Sequence, residues 1–491
     1  MRAVTRPRLL LVLLAIVFAS TLLTPSQRDL FVGDETKYGQ VVREMRATGA
    51  WLLPTLEGAP FTHKPPVHFW MIKILTYALG IYSTWAFAIP SLIAYAFLIW
   101  LMWRMGGGVA AFVCATSLLV WGSAQTARMD VSFTAFIVLG CWFLQRFFEH
   151  ENARELELCA IALGVGTLIK GPMAIVIGVI LFALEWWRRR RLPRVQYASS
   201  IALLIVVPLL WFVPAMIAGG SGWTRDVVQK QLAGRAVSSW VHASPPWYYI
   251  AHSPAFLAPW FALGVTAIAT RWREQRFNGN WIIAVLLPYS LMSSKLDVYM
   301  MAMIPPMALV IADCVANAPL AAWRANLVML VAFFVIGVVG FFMRVPVALP
   351  VNVICAFLAA ASVIGLVLAA RNQFASTIAV GLVPLLPLVF VAVRLMPDVN
   401  EMASARPLIR ALVAQHVDAS DIALYSCPYL WSRDMPRDLE LVHYVTPESF
   451  RSVNAKLVAT SRRHANEIDL TGYAKAGELQ MIGKPFDVYR K

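Results

Sequence analysis

Charged residues are scarce in this chain. Only 14% of its 491 residues are Asp, Glu, Lys or Arg, whereas 59% are apolar and the mean hydropathy is +0.65. Soluble proteins contain roughly 25% charged residues, so this chain lacks the polar surface that water solubility requires. The composition excludes a soluble enzyme, a disordered chain and a soluble domain with a single anchor. It predicts a polytopic membrane protein.

Cysteine is scarce as well, and its distribution excludes a disulfide framework. Five of the six cysteines lie in apolar stretches, and Cys427 alone lies in the polar C-terminal region. That thiol has no partner for a disulfide within its own region. Zinc-ligand spacing is also missing from the histidines of the predicted outer segments: His63, His68, His242 and His252. No metal ligand set is therefore assigned, and a divalent metal stays open as an alternative.

The basic residues are concentrated in the apolar part of the chain. The net charge is +15, but residues 397–491 contain 12 Lys and Arg against 12 Asp and Glu. The excess therefore lies between apolar segments, where it is typical of cytoplasmic loops rather than of a nucleic-acid surface. We expect no nucleic-acid partner.

Apolar segments long enough to cross a bilayer as helices recur along the chain. We predict about thirteen, near 9–25, 82–103, 107–123, 131–148, 156–170, 172–187, 197–218, 250–270, 280–293, 297–315, 325–343, 349–370 and 375–395. The first follows three arginines without an A-x-A cleavage site, which favours an uncleaved helix. With the N-terminus inside, every strong arginine cluster falls on the inner side. The odd number of spans then puts residues 397–491 outside.

The first outer loop, residues 26–81, and the C-terminal region are each predicted to contain secondary structure of their own. Tyr38, Val41, Val42 and Met45 follow the spacing of an amphipathic helix, and a second helix is predicted after Pro65-Pro66. Both helices are expected to lie in the outer interface. The C-terminal region predicts a helix near 401–416 and strands at 421–426, 440–445, 456–460 and 486–490. We therefore predict a transmembrane domain over 1–396 and a small periplasmic α/β domain over 397–491.

Two charged residues of the first outer loop are candidates for chemistry. Asp34 is either the N-cap of the amphipathic helix or a carboxylate available as a general base or acceptor-positioning group. Its neighbour Glu35 cannot share its helix face, so a carboxylate pair is not expected. Lys64 precedes two prolines at a predicted helix start, where an anion could bind. Its alternative is a lysine that snorkels to the membrane surface.

Further candidates lie at the outer ends of other spans. Arg128 and Asp130 either pair with each other or belong to a functional site, and Lys170 lies in a tight outer turn. Lys295 and Tyr299 are four residues apart and share a helix face. A phosphate between Lys64, Lys295 and the Tyr299 hydroxyl is chemically sensible. Three basic residues of the 219–249 loop could add to it: Arg225, Lys230 and Arg235.

Several short motifs follow one another on the predicted outer face. They are Asp34-Glu35-Thr36-Lys37-Tyr38, Trp51-x-x-Pro54, Lys64-Pro65-Pro66, Arg128-x-Asp130, Lys170-Gly171-Pro172, Pro246-Trp247-Tyr248-Tyr249 and Ser294-Lys295-Leu296-x-x-Tyr299. Their order and spacing resemble the ArnT-like bacterial glycosyltransferases, relatives of the protein O-mannosyltransferases with the GT-C fold. The resemblance covers roughly residues 9–310. His63 departs from the family, which commonly has an acidic residue before Lys-Pro-Pro; in the member that transfers aminoarabinose, that acidic region helps bind a metal.

The resemblance implies a membrane glycosyltransferase of a bacterial inner membrane, with its site facing the periplasm. Such enzymes move a sugar from a polyprenyl phosphate to a lipid A-type glycolipid or another envelope acceptor, and we expect an inverting displacement. Asp34 is the predicted catalytic base. The predicted phosphate ligands are Lys64, Lys295, Tyr299 and Arg235, with Glu35, Arg128, Asp130, Lys170 and His63 as further site candidates.

Two alternatives stay open at this point. One is a transporter or flippase for a lipid-linked sugar, which the Pro305-Pro306 pair inside a predicted span favours. The other is an enzyme with a protein acceptor, as in the protein O-mannosyltransferases.

Overall fold

The computed structural model describes residues 7–233, 244–343 and 349–491. Arg235 and His242, and with them two predictions about the 219–249 loop, lie outside these residues. The Lys230 side chain is likewise outside the description.

Helices make up the first four fifths of the described chain. They are α1 (Pro7–Thr21), α2 (Asp34–Ala47), α3 (Val67–Leu79), α4 (Thr84–Thr116), α5 (Leu118–Ala124), α6 (Asp130–His150), α7 (Ala153–Lys170), α8 (Met173–Arg189), α9 (Ala198–Arg225), α10 (Tyr248–Phe256), α11 (Phe261–Arg271), α12 (Arg276–Leu291), α13 (Ile304–Asn317), α14 (Pro319–Phe342), α15 (Val351–Arg371), α16 (Gln373–Leu382), α17 (Leu385–Phe390), α18 (Met396–Ala403) and α19 (Arg406–Val413). A 3-10 helix, Asp297–Met303, precedes α13. Every predicted apolar segment coincides with one of these helices or with a broken pair of them.

Seven of the described helical stretches are long and apolar enough to cross a membrane, or eight if one bent pair counts as a single span. The bent pair is α10 and α11, whose axes differ by 116°. Glycine breaks two long helices, because Gly107 in α4 and Gly220 in α9 have φ values of 73° and 70°. The chain is thus a polytopic helical membrane protein, and several of the predicted spans are shorter or broken helices.

Arginine clusters and site candidates occupy opposite ends of the helix bundle. Helix α6 begins at Asp130 and ends near Arg146, whereas α7 runs back to end at Lys170. Helix α8 then ends at Arg188 and Arg189. Arg189 donates a hydrogen bond of 2.8 Å to the carbonyl of Phe148, at the end of α6. The separation of the two charge groups agrees with the loop alternation predicted from the sequence.

The two predicted amphipathic helices of the first outer loop are present as α2 and α3. The buried side of α2 includes Tyr38, Val41, Val42 and Met45, the residues that define its predicted apolar face. Helix α3 begins at Val67 directly after the two prolines, as predicted. At 13 residues it is about 20 Å long, too short to cross a bilayer.

The Pro305-Pro306 pair lies in the first turn of α13. Proline suits this position because its missing N–H would have no helical partner there. The pair therefore marks the change from the 3-10 helix to the α-helix, and it does not interrupt α13 itself.

The C-terminal region folds around a five-stranded mixed sheet. Its strands are β3 (Ile422–Tyr425), β4 (His443–Val445), β5 (Leu457–Ser461), β6 (Ala474–Met481) and β7 (Lys484–Arg490). Strands β1 (Thr55–Leu56) and β2 (Ala59–Pro60) form a separate short hairpin in the first outer loop. The order is β4-β3-β5-β7-β6, with β3 parallel to β4 and β5 and the remaining pairs antiparallel. Four predicted strands are confirmed. Strand β6 was not predicted, and the predicted helix over 401–416 is in fact two short helices, α18 and α19.

The sheet domain docks on the first outer loop through a buried carboxylate. Asp29 is fully buried and accepts hydrogen bonds from the Arg406 Nε at 2.5 Å and from the Ser432 hydroxyl at 3.0 Å. The Asn400 side chain accepts from the Asp29 backbone N–H at 2.9 Å, and a further backbone bond joins Val32 to Ala403. A buried charge is tolerated only when it is paired and hydrogen-bonded, so this contact fixes residues 27–32 against the domain.

A buried indole forms the second part of the same contact. Trp431 is fully buried, with its ring centroid 5.6 Å from that of Phe87. On its other side it packs against Gly39 of α2, where a β-carbon would come within 2.8 Å of the indole. The small residue in α2 therefore lets the C-terminal domain approach the helix that begins at Asp34.

Candidate active site

Asp34 is the first residue of α2, but it is not the helix cap. The N-cap is Gly33, which has φ 117° and no side chain to offer, so the N-cap alternative for Asp34 is wrong. The Asp34 side chain is 44% exposed, and its Oδ2 accepts a hydrogen bond of 3.0 Å from Arg128. A carboxylate in the first turn is also favoured by the helix dipole.

Glu35 faces away from Asp34, as expected, and has a different role. It is buried and forms a salt bridge with the buried Arg28. Its carboxylate also accepts from the backbone N–H of Phe31 at 3.0 Å and of Ala127 at 2.6 Å. Glu35 therefore connects the start of α2 to the loop that precedes α6.

Side chains from other elements hold the loop of residues 125–129, and three of their contacts are to the backbone of Ala127 and Arg128. Besides the bond from the Ala127 N–H to Glu35, the Ala127 carbonyl lies 2.9 Å from the His68 Nε2, and the Arg128 carbonyl accepts from Ser91 at 2.9 Å. Backbone groups fixed in this way set the point from which the Arg128 side chain extends. The loop thus presents Arg128 between two carboxylates, Asp34 and Asp130.

Asp130 and Lys170 form a salt bridge between antiparallel helices. Asp130 is the first residue of α6 and Lys170 the last residue of α7, so each charge lies at the helix end that its sign favours. The Arg128 Nε also lies 3.7 Å from Asp130. The self-satisfied Arg128–Asp130 pair is therefore too simple a description, because both residues belong to a longer row that runs from Asp34 to Lys170.

Tyr299 and Lys64 extend this row. The Lys170 Nζ lies 4.8 Å from the centre of the Tyr299 ring, which stacks on Tyr289 with centroids 5.1 Å apart. Lys64 is half-buried and close enough to Asp130 to interact with it electrostatically. Three cationic and two carboxylate side chains therefore gather here, a net positive charge that suits an anionic ligand.

Lys295 lies deeper than the sequence suggested. It is buried, and its ammonium group donates to the carbonyls of Ser244, at 3.0 Å, and of Met292. Burial lowers the pKa of this lysine. An ammonium has three N–H donors, and carbonyls of the described residues accept two of them.

The described histidines do not gather into a metal site. His68 is fully buried, and burial lowers its pKa to about 4. His63 is exposed and packs on the ring of Phe61, while His252 pairs with Asp297. Among the described residues, no three His, Cys, Asp or Glu side chains lie close enough to hold a metal ion. The donor set of the described residues therefore does not fit the metal that the resemblance raises.

A cavity of about 1210 Å³ lies at the opposite end of the bundle from the charged row. Its lining is mainly apolar and includes the break at Gly107 and the starts of α1 and α14. Lys and Arg are absent from the described residues that line it. This cavity therefore does not offer the cations of a phosphate site.

Two features of the site were missed in the sequence. Arg28 lies 97 residues from Gln125, to whose carbonyl it donates a 2.7 Å hydrogen bond, and no local pattern indicates that pairing. Asp297 is a polar residue at the start of a predicted span and escaped notice beside Lys295 and Tyr299. The presence of a carboxylate between two candidate phosphate ligands was the available signal.

Comparisons with known proteins agree with the motifs. Residues 63–212 match the family model described as dolichyl-phosphate-mannose-protein mannosyltransferase. An undecaprenyl phosphate-α-4-amino-4-deoxy-L-arabinose arabinosyl transferase of Pseudomonas fluorescens is 26% identical over 326 residues, which are 62% of this chain and 59% of the relative. A transferase of the same description from Sodalis glossinidius is 28% identical over 340 residues, 64% of this chain and 61% of the relative. The matches thus span about three fifths of these relatives.

The fold comparison extends over almost the whole chain. The crystal structure of ArnT from Cupriavidus metallidurans bound to undecaprenyl phosphate superposes with a TM-score of 0.74, at 17% identity, and covers 98% of this chain and 97% of that one. The apo structure of the same protein gives 0.71 at 16% identity. The resemblance to the ArnT-like glycosyltransferases is therefore confirmed: the aminoarabinose transferases match about three fifths of the chain, the mannosyltransferase model matches residues 63–212, and the ArnT fold is shared over nearly the entire chain.

Proposed function

We propose that this protein is a membrane glycosyltransferase that takes a sugar from a polyprenyl phosphate donor. One observation carries the proposal: the row Asp34–Arg128–Asp130–Lys170, with Lys64 and Tyr299 beside it, combines carboxylates and cations at one end of an apolar bundle. A polyprenyl phosphate sugar has an apolar tail, an anionic phosphate and a polar sugar. These three parts match the apolar bundle, the cations and the carboxylates. The ArnT that shares this fold was solved with undecaprenyl phosphate.

The cations would act on the phosphate, which is the leaving group. As the glycosidic bond breaks, negative charge develops on the phosphate oxygen. Fixed cations stabilise that charge, so they stabilise the transition state more than the ground state. Lys64, at the start of α3, and Lys170 are placed to contribute. Lys295 would act in the same way through a donor that the described residues do not use, and the Tyr299 hydroxyl would donate a hydrogen bond.

Asp34 is the proposed catalytic carboxylate. In a single, inverting displacement it would accept the proton of the acceptor hydroxyl as the new C–O bond forms and the phosphate departs. Its exposure leaves room for an acceptor, and Arg128 orients it. With an ionised phosphate as acceptor no base is needed, and Asp34 would position the acceptor instead.

We propose thirteen crossings, with the charged row and residues 397–491 in the periplasm of a bacterial inner membrane. The arginine-rich helix ends would then lie in the cytoplasm, as the positive-inside rule requires. The transmembrane part would extend over 1–396. This topology counts the shorter and broken helices of the bundle as spans.

The proposed acceptor is a lipid A-type glycolipid, in keeping with the relatives' aminoarabinose donors. A protein acceptor, as the family description of residues 63–212 suggests, is the second candidate.

A carrier for a lipid-linked sugar needs polar groups near the bilayer midplane. The sharp break between α10 and α11 instead contains the buried apolar residues Leu257 and Trp260.

The test is a comparison of envelope glycolipids from cells with and without the protein. Mass spectrometry should show a sugar-modified glycolipid that depends on the protein, and purified protein should transfer that sugar from its undecaprenyl phosphate ester. Modified peptides in place of modified glycolipids would favour the protein acceptor. A lipid-linked sugar that changes leaflet without any transfer would contradict the enzyme.

A further inference from the structure

A histidine–aspartate pair lies beside the proposed phosphate ligands and has no part in the mechanism given above. The His252 Nδ1 is 3.1 Å from one carboxylate oxygen of Asp297 and 3.4 Å from the other. The Tyr248 ring stacks on the imidazole with centroids 3.8 Å apart, and its side chain interacts with the same carboxylate. These three side chains form what we term the His252 cluster.

The His252 cluster contributes little to stability. The His252 and Asp297 side chains are 43% and 37% exposed, and polar pairs as exposed as this one add little to the stability of a fold. Its geometry is nevertheless fixed, because the ring is held by the carboxylate on its edge and by Tyr248 on its face. An ordered polar group that solvent can reach is what a ligand requires.

The position of the His252 cluster relates it to the donor. Asp297 lies two residues from both Lys295 and Tyr299, so its Cα is within about 7 Å of theirs along the chain. Tyr249, next to Tyr248, places its hydroxyl 3.3 Å from the Leu296 backbone N–H and 3.4 Å from its carbonyl. Helix α10 and the 297–303 turn are thereby joined where the phosphate is proposed to bind.

We propose that the His252 cluster binds hydroxyl groups of the donor's sugar. In a polyprenyl phosphate sugar a single oxygen separates the phosphorus from the ring, so side chains next to the phosphate ligands lie at the depth of the sugar. The Asp297 carboxylate accepts from a hydroxyl, and the imidazole has a second nitrogen, Nε2, that accepts from or donates to its neighbour. Tyr248 keeps the imidazole plane fixed. This inference rests on the proposed donor.

The test compares undecaprenyl phosphate with one of its sugar esters, so that the two compounds differ by the sugar alone. Binding of undecaprenyl phosphate, and of its glucosyl, mannosyl and 4-amino-4-deoxy-arabinosyl esters, is measured on the full-length protein in lipid nanodiscs. The ester that binds most tightly serves as the donor probe. In His252→Gln, which removes the ring that Tyr248 holds in plane, and in Asp297→Asn, which replaces a charged acceptor by a neutral one, its affinity should fall about tenfold, while undecaprenyl phosphate binds as in the parent.

Two controls keep the outcomes distinct. His464→Gln removes another exposed histidine–carboxylate pair, with Glu467 at 2.8 Å in the C-terminal domain, and should change neither affinity. Lys64→Ala should weaken both compounds. Equal losses for both compounds in His252→Gln, or unchanged affinities with slower turnover, would overturn the sugar contact, the latter in favour of proton transfer. A parent protein that binds none of the compounds would instead contradict the proposed donor.

Discussion

The charge on Asp34 is the property that separates catalysis from helix stability at this position. Asp34→Asn keeps the side-chain size and a hydrogen-bond acceptor for Arg128, but it removes the negative charge. If Asp34 takes a proton from the acceptor, transfer should fall by roughly 10²–10⁴-fold, while the amount of protein in the membrane stays normal. Initial rates with a hydroxyl acceptor measure this. Near-parental rates would return Asp34 to a structural role at the start of α2.

Lys64 tests phosphate recognition in the same way. A lysine that only snorkels needs a positive head on a long stem, and arginine would replace it without effect. A lysine held at the start of α3 beside the Asp130–Lys170 pair has less room for the planar guanidinium. We expect Lys64→Arg to lose much of the activity and Lys64→Ala nearly all. Affinity for undecaprenyl phosphate should fall in parallel, and parental affinity in Lys64→Ala would place this residue outside the donor site.

At the scale of residues, the sequence located charges better than it located their partners. Asp34, Arg128, Asp130 and Lys170 stood out because they lie at outer helix ends in a chain with little charge. Their connection into one row could not be predicted, since it depends on antiparallel packing of α6 and α7. The burial of Lys295 depends on carbonyls 3 and 51 residues away, which local patterns do not reveal.

At the scale of elements, Glu35 decides how α2 meets the loop of residues 125–129. Glu35→Gln leaves the buried Arg28 without a counter-ion and turns an amide toward a backbone N–H. Breaking one side of a buried pair costs about 3–5 kcal/mol. We therefore expect a lower melting temperature in detergent together with weak activity. Glu57→Gln, at an exposed position of the β1–β2 hairpin, is the control and should melt as the parent does.

Helices were easier to predict than strands for a physical reason. A membrane span must satisfy its own backbone hydrogen bonds and present apolar side chains, so hydropathy alone located the apolar helical segments. Most residues of strand β6 are exposed, and several of them are polar. Its short alternation of polar and apolar side chains is therefore difficult to distinguish from a loop in the sequence. The breaks at Gly107 and Gly220 arise from positive φ values, which a glycine permits but does not require.

At the scale of the whole molecule, orientation in the membrane is the first property to test. The arginine loops and an odd number of spans put Lys491 in the periplasm. Alkaline phosphatase fused after Lys491 should therefore be active, and a cytoplasmic reporter at the same place should not. A fusion within the Arg188–Arg191 loop is the matched control and should give the opposite pair of results. An inactive phosphatase with an active cytoplasmic reporter after Lys491 would reject the topology.

The contact between the C-terminal domain and the first outer loop could not be predicted, because Asp29 resembles any polar loop residue in the sequence. The structure shows that Asp29 holds Arg406 and Ser432 only five residues before Asp34. Trp431 fills the space against Gly39, one turn further into α2. The domain is therefore in a position to hold the catalytic segment, and weakening this contact should disturb Asp34 without touching it.

Arg406→Gln tests this connection, because it removes the cation from a fully buried carboxylate while Ser432 and the backbone of Arg433 still donate to it. Arg406→Gln removes the two hydrogen bonds that the guanidinium donates to Asp29, and breaking one side of a buried pair costs about 3–5 kcal/mol, enough to loosen the contact but not to unfold a bundle of this size. We expect kcat to fall, the affinity for undecaprenyl phosphate to stay near parental, and limited proteolysis to release residues 397–491 more readily. Arg406→Lys should restore part of the rate. The matched control is Arg410→Gln, whose exposed pair with Glu401 is worth about 0–1 kcal/mol and should leave rate and proteolysis unchanged. If Arg406→Gln becomes sensitive to protease yet turns over as fast as the parent, the domain is a passive attachment, and the position of Asp34 is set within the membrane part alone.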